Sequence, residues 1–180
     1  MKFNIITSFC RNGGIGINGY TPWNNSLSYI NLFRKLTRGQ GNNAVLMCSN
    51  TYDNRLNEIY KPFNGRQNLV LLENKNNISD YNNVEYFTNI QDIISNCQRQ
   101  NYQDVWIIGG EPMFNYFLIK QNNISIKNIY FNYINKDYNC NSFFPMKFNT
   151  NEDVTLINYT KINNVEQVLA KVNYNRIPSI

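Results

Sequence analysis

The chain has 180 residues, of which 42% are apolar, and a formal charge of +5. That length suits one domain with a sizeable core, and no apolar run approaches a membrane span. There is no histidine, and Cys10, Cys48, Cys97 and Cys140 form no Cys-x-x-Cys pair, which excludes the usual zinc ligand sets and Ser-His-Asp or Cys-His catalysis.

In chain order, residues 2–9 alternate and predict a core strand. A loop with Gly13, Gly14, Gly16 and Gly19 follows and ends at Pro22-Trp23. Its glycines permit unusual backbone angles and lid-like movement. Pro22 keeps Thr21 extended. Ser26 is the expected N-cap of a helix whose Leu27, Ile30 and Phe33 share a face. Asn43–Cys48 predicts a buried strand ending in a buried thiol. Thr51 is the expected cap of a short helix running to about residue 57. Pro62-Phe63-Asn64-Gly65 reads as a turn. Strands are predicted at Asn68–Leu72 and Val84–Phe87. A helix starts at Asn89, with Ile90, Ile93, Ile94 and Cys97 on one face. Val105–Ile108 is a strand that Gly109-Gly110 turns into a helix ending near Leu118-Ile119. A long strand covers Ile126–Ile134, and Val154–Ile162 with Val165–Ile177 form a terminal antiparallel pair.

Strands alternating with helices, then strands alone, predict an α/β fold. The sheet is mostly parallel, with an antiparallel C-terminal edge and helices on both faces. No linker, repeat or charge block divides it, so residues 1–180 read as a single domain. Asparagine occurs 36 times, interleaved with Ile, Tyr and Phe. That pattern reads as a compositional bias on a globular fold, which weakens helix propensity. Lysine and arginine are scattered, the pattern of a solvated surface, so no nucleic-acid partner is expected. The N-terminus lacks the h-region and cleavage site of a signal peptide. With no span, the expected setting is intracellular and cytoplasmic, with no membrane partner.

Ile15-Gly16, Pro22-Trp23 and Phe33 together resemble the dihydrofolate reductase family. The resemblance runs through the whole chain in order, to Phe143-Phe144-Pro145. It implies an eight-stranded sheet with about four flanking helices. In that family the first helix brings an acid, and four positions later a phenylalanine, to the pterin ring. Phe33 matches, but Tyr29 stands at the acid's position, and residues 1–52 contain no Asp or Glu at all. The resemblance puts Trp23 and Phe33 on the substrate side, and Ile15 and Gly16 on the cofactor side. Gly65-Arg66-Gln67-Asn68 resembles the segment whose arginine grips the carboxylate of the folate tail. A guanidinium fork suits that task; otherwise Arg66 simply covers a turn. Trp106–Gly110 resembles the strand and glycine pair that lie against nicotinamide and pyrophosphate. Glu111 then brings a carboxylate, and Pro112 removes an amide donor. Thr51 matches a cofactor-side threonine, while Ser49 replaces a basic residue. Glu73 stands where groups for a 2′-phosphate are usual. It suits a free ribose hydroxyl, as in NAD sites, or it is a solvated charge beside Lys75. Asn132 takes the place of the threonine that bonds to the acid.

The implied cofactor is NADPH or NADH, and the implied substrate is dihydrofolate or a related pterin. A carboxylate offers two acceptors to the pterin's donor–donor edge. Tyr29 offers one hydroxyl, with an ordinary pKa of about 10. It can donate to a substrate carbonyl or fill the pocket as core. Losing a general acid–base group typically costs about 100- to 10,000-fold. The expectation is therefore NAD(P)H-dependent reduction of dihydrofolate to tetrahydrofolate, weak or lost because of Tyr29. The alternative is a catalytically inactive module of the same fold, with a structural or protein-interaction role and protein partners. The changes fall on chemistry, at Tyr29, Ser49, Glu73, Glu111, Pro112 and Asn132, while the glycine and Pro-Trp markers persist.

Overall fold

The first strand, β1 (Lys2–Cys10), is buried at every position after Lys2. A strand covered on both faces must lie mid-sheet between two helical layers. It pairs in parallel with β6 (Asp104–Gly109) on one side and β7 (Ile126–Ile134) on the other, so Ile5 sits between Ile107 and Ile129. The computed structural model describes residues 1–54, 62–72, 81–120, 124–145 and 154–173.

The remaining strands are β2 (Gly14–Gly16), β3 (Asn43–Cys48), β4 (Gln67–Leu71), β5 (Val84–Phe87), β8 (Ser142–Phe143), β9 (Val154–Ile162) and β10 (Val165–Asn173). The eight-stranded sheet runs β5-β4-β3-β6-β1-β7-β10-β9. Its pairings are parallel except where β10 meets β7 and β9. The mostly parallel sheet with an antiparallel C-terminal edge is thus the fold the sequence implies. The expected end of the last strand, at Ile177, lies outside the described residues.

Helices α1 (Leu27–Arg38), α2 (Ser49–Asn54), α3 (Ile90–Arg99) and α4 (Glu111–Asn115) complete the fold, and a π turn over Tyr116–Lys120 extends α4. Side chains alternate across the sheet. Phe3, Ile5 and Phe9 join one core with Ile93, Phe114 and Phe117. Ile6 joins the other, with Tyr29, Phe33, Met47 and Trp106. No helix among the described residues is long and apolar enough to cross a membrane.

Three local expectations need correction. Ser26 caps α1, accepting from the Tyr29 N–H at 3.1 Å. The buried face, however, is Tyr29, Phe33 and Thr37, while Leu27 is 76% exposed. Leu27 is the first helical residue, and the cap turns it outward while Tyr29 faces the sheet. Thr51 is not a cap; α2 begins at Ser49, directly after β3, and Thr51 lies inside it. The continuation to residue 57 lies outside the described residues. The glycine loop is not free throughout. β2 pairs with β8, and Gly13 accepts from the Phe144 N–H at 2.9 Å. A Cβ on Gly14 would meet the Cys140 Cβ and Sγ at 2.5 Å, so only glycine fits that crossing.

Cys97 is fully buried, and burial, then the charge of Glu85, pushes its thiol up from 9.0 to about 12. The fold therefore favours the protonated thiol. Its contribution to stability is complete below about pH 9 and is lost as pH rises through about 12. Urea denaturation at about pH 8.5 and about pH 11 should show a smaller alkaline loss of stability in Cys97→Ala than in the parent protein. Equal losses would mean that the thiol does not carry this term.

Candidate active site

β6 lies between β1 and β3, although the chain visits β3 first. The connections after β1 and β3 both run toward β5, whereas the one after β6 runs back past β1 to β7, so they diverge at the carboxyl edge of the sheet, and open α/β sheets bind ligands in such crevices. A cavity of about 1120 Å³ occupies this place. Thr7 and Ser8 of β1 form one end, with Asn25 and Tyr29 at the start of α1. The other wall carries Cys48, Thr51 and the Gly109-Gly110 turn, and the glycine loop covers it with Ile15 and Gly16.

The wall at Gly109-Gly110 is bare backbone. Their peptide bond is cis, and Gly109 has φ +131°, a region open to glycine. The Gly110 N–H donates to the Cys48 Sγ at 3.1 Å, and the Thr51 Oγ1 lies 3.4 Å from the same sulfur. A Cβ on Gly110 would come within 3.3 Å of the Thr51 Oγ1. Thr51 and the two glycines, read separately in the sequence, thus form one surface. Glu111 does line the cavity, but its Oε2 accepts the Phe143 N–H at 2.9 Å and so clamps β8 to α4. Among the described residues Glu111 is the one acid and Lys120 the one base of the lining.

The residues expected on the substrate side behave differently. Tyr29 reaches the cavity but is 4% exposed. Its ring lies 6.5 Å from that of Phe33, and Phe33 lies 5.5 Å from Phe63. The Arg66 guanidinium stacks 5.2 Å over Phe63 and donates to the Thr37 Oγ1 and the Asn64 carbonyl. It borders a separate crevice of about 470 Å³. Phe33, Arg66 and Trp23 do not line the main cavity; Arg66 borders the separate crevice and Trp23 a smaller one. Glu73 lies outside the described residues.

Asn132 is fully buried and meets the cavity only through others. Its Nδ2 donates to the Gln167 Oε1 at 2.9 Å and to the Asn25 Oδ1 at 3.3 Å. The Trp23 indole Nε1 donates to the same Asn25 Oδ1 and to the Ser8 Oγ, each at 3.3 Å. Gln167 also accepts the Ser26 N–H at 3.0 Å and donates to the Asn24 carbonyl at 2.7 Å. Two obligate donors fix these amides. An indole N–H only donates, so the Asn25 atom facing it is oxygen. The Ser26 N–H likewise fixes the Gln167 oxygen, so Asn132 must present nitrogen. The Asn132 Oδ1 is left buried with no partner among the described residues. Sequence reasoning missed Asn25 and Gln167. Gln167 does carry a signal, since it falls between Val165 and Leu169 on the same strand face. Asn25, one of 36 asparagines, carries none.

Residues 2–176 match the family model described as Dihydrofolate reductase. The chain is 29% identical over 151 residues to the dihydrofolate reductase of Heliothis virescens, covering 81% of this chain and 80% of that protein. It is 28% identical over 151 residues to that of Aedes albopictus, covering 80% and 79%. It is 33% identical over 109 residues to the bifunctional dihydrofolate reductase-thymidylate synthase of Plasmodium chabaudi, covering 59% of this chain and 17% of that protein.

Gln167→Leu removes the acceptor of the Ser26 N–H and of Asn132 together. Leaving a buried donor unpaired costs about 1–3 kcal/mol. Urea denaturation should show a loss of at least about 2 kcal/mol. A loss within about 0.5 kcal/mol, the range of surface changes, would mean that the amide does not anchor this corner.

Proposed function

The chain belongs to the dihydrofolate reductase family, and we propose that it is an atypical NAD(P)H-dependent reductase whose turnover of dihydrofolate to tetrahydrofolate is weak. One observation carries this reading: a single open cavity gathers Ile15, Gly16, Thr51 and Gly109-Gly110, with Tyr29 at its far end. The residues present fit a dinucleotide. Bare backbone at the two glycines allows a flat ring or a phosphate to approach closely, and the Glu111 carboxylate is already held by the Phe143 N–H. The bound nicotinamide would supply the hydride. The glycine turn and Thr51 would orient it, and Ile15 and Gly16 would exclude water above it.

At the far end Tyr29 brings a hydroxyl where a carboxylate would match a donor–donor ring edge. Without that carboxylate the pterin loses both an anchor and help in gaining its proton. The group's typical worth, about 100- to 10,000-fold, sets the expected deficit.

The second reading, a catalytically inactive module with protein partners, has its own support. Tyr29, Phe33 and Phe63 pack ring against ring with the Arg66 guanidinium over Phe63, and this run engages the guanidinium that would otherwise grip a substrate tail.

Calorimetric titration with NADPH and with NADH, each with and without dihydrofolate, separates the two. Micromolar binding of either cofactor is expected. NADH should bind at least as well as NADPH, because Glu73 suits a free ribose hydroxyl better than a phosphate. No heat with either would favour the inactive module. Tyr29→Asp should raise dihydrofolate turnover by about 100-fold or more. Unchanged turnover with cofactor still bound would show that Tyr29 alone does not limit the reaction.

A further inference from the structure

The hydrogen bonds around Trp23 decide which atoms remain to meet a ligand at the β1 end of the cavity. The Asn25 oxygen is taken by two donors, Trp23 Nε1 and Asn132 Nδ2. Its orientation is fixed, because the indole cannot accept. The Asn25 Nδ2 makes no hydrogen bond among the described residues, and Asn25 lines the cavity. What it shows a ligand is therefore an N–H pair. Ser8 is its neighbour through the shared indole: its Oγ accepts from Trp23, and its own O–H is unspent. Ser8 also lines the cavity. The one acidic side chain of the lining among the described residues, Glu111, comes from α4 and is bonded to Phe143. Among the described residues the β1 end thus offers the Asn25 amide N–H pair and the Ser8 hydroxyl, and no carboxylate.

We propose that this end of the cavity recognises the hydrogen-bond-acceptor edge of a flat heterocycle, with carbonyl oxygens facing Asn25 Nδ2 and Ser8 Oγ. A ring that presents an amino group and a ring N–H there sets donor against donor. The preferred ligand class is a dioxo-type ring, and the amino-oxo type is the poor one. This rests on the reading that the cavity takes a heterocycle beside a dinucleotide, and it names the heterocycle's chemistry. It also makes Asn25 a specificity-determining residue. Asn25→Asp keeps one oxygen for Trp23 and Asn132 and replaces the exposed N–H pair with a second acceptor.

The probes are dioxopteridine and amino-oxopteridine, each titrated into the full chain with NADPH and without it. Calorimetry gives affinity, and the quenching of Trp23 fluorescence, read in a Trp106→Phe background, reports on this end of the cavity. The parent protein should bind dioxopteridine about tenfold or more tightly over its counterpart, the size of one well-made hydrogen bond against a clash of donors. Asn25→Asp should reverse that order. Ser8→Ala should weaken dioxopteridine severalfold and leave amino-oxopteridine unchanged, which keeps the proposal testable should the aspartate variant fail to fold. Equal affinities in the parent, a preference for amino-oxopteridine, or a preference that neither variant alters would each overturn the proposal. The NADPH heats in the same samples report separately on the reductase reading. Dioxopteridine preference without NADPH binding would sink that reading alone, and NADPH binding without the preference would sink this inference alone.

Discussion

The side-chain amide of Gln167 holds the corner between the glycine loop and α1 against the sheet. It accepts the Ser26 N–H, donates to the Asn24 carbonyl and receives Asn132 from the adjacent strand. Buried polar groups are costly unless paired, so such a network is stable in one arrangement. That arrangement sets the start of α1, and with it the rotation that turns Tyr29 inward and Leu27 outward. It also orients Asn132, which together with the Trp23 indole orients Asn25. The polarity of one end of the cavity thus depends on an indole from the loop and on a glutamine on β10 together.

The two sides of the cavity are built by opposite means. On the side of β3 and β6 the chain withholds side chains at the turn. Gly109 and Gly110 face the cavity with backbone, and Thr51 and Cys48 line it beside them. On the side of α1 it supplies rings, and Tyr29, Phe33 and Phe63 pack into a continuous layer that Arg66 closes. Tilted ring pairs and a guanidinium over an aromatic face stabilise each other beyond simple burial. The first construction leaves room for a flat ligand, and the second limits what can enter. The small β2–β8 sheet ties the glycine loop down beside both.

Much of the fold was legible in the sequence. The alternation at residues 2–9 and the apolar runs at 43–48 and 105–108 mark core strands, and their order with the intervening helices implies the mostly parallel sheet. Ser26 was legible as a cap because capping is a local interaction. The face of α1 was misjudged. Leu27, Ile30 and Phe33 also have helical spacing, and periodicity alone does not choose between two overlapping stripes. The pairing of Gly14–Gly16 with Ser142–Phe143 joins segments far apart in sequence, and glycines give no strand signal of their own.

The same division runs through the site. The sequence by itself determined which groups are available: no histidine, no acid before Asp53, a tyrosine at the acid's position and a glycine pair after a buried strand. Those are facts of composition and order, and folding does not change them. The tertiary structure decided which atoms of those groups face the cavity. Arg66 is turned to Thr37 and Phe63, and Asn25 shows nitrogen because its oxygen meets an indole and an amide from β7. A side-chain amide carries donor and acceptor on one pivot. The Trp23 indole close by in the chain, and Asn132 from far along it, itself held by Gln167, together determine which of the two a ligand meets.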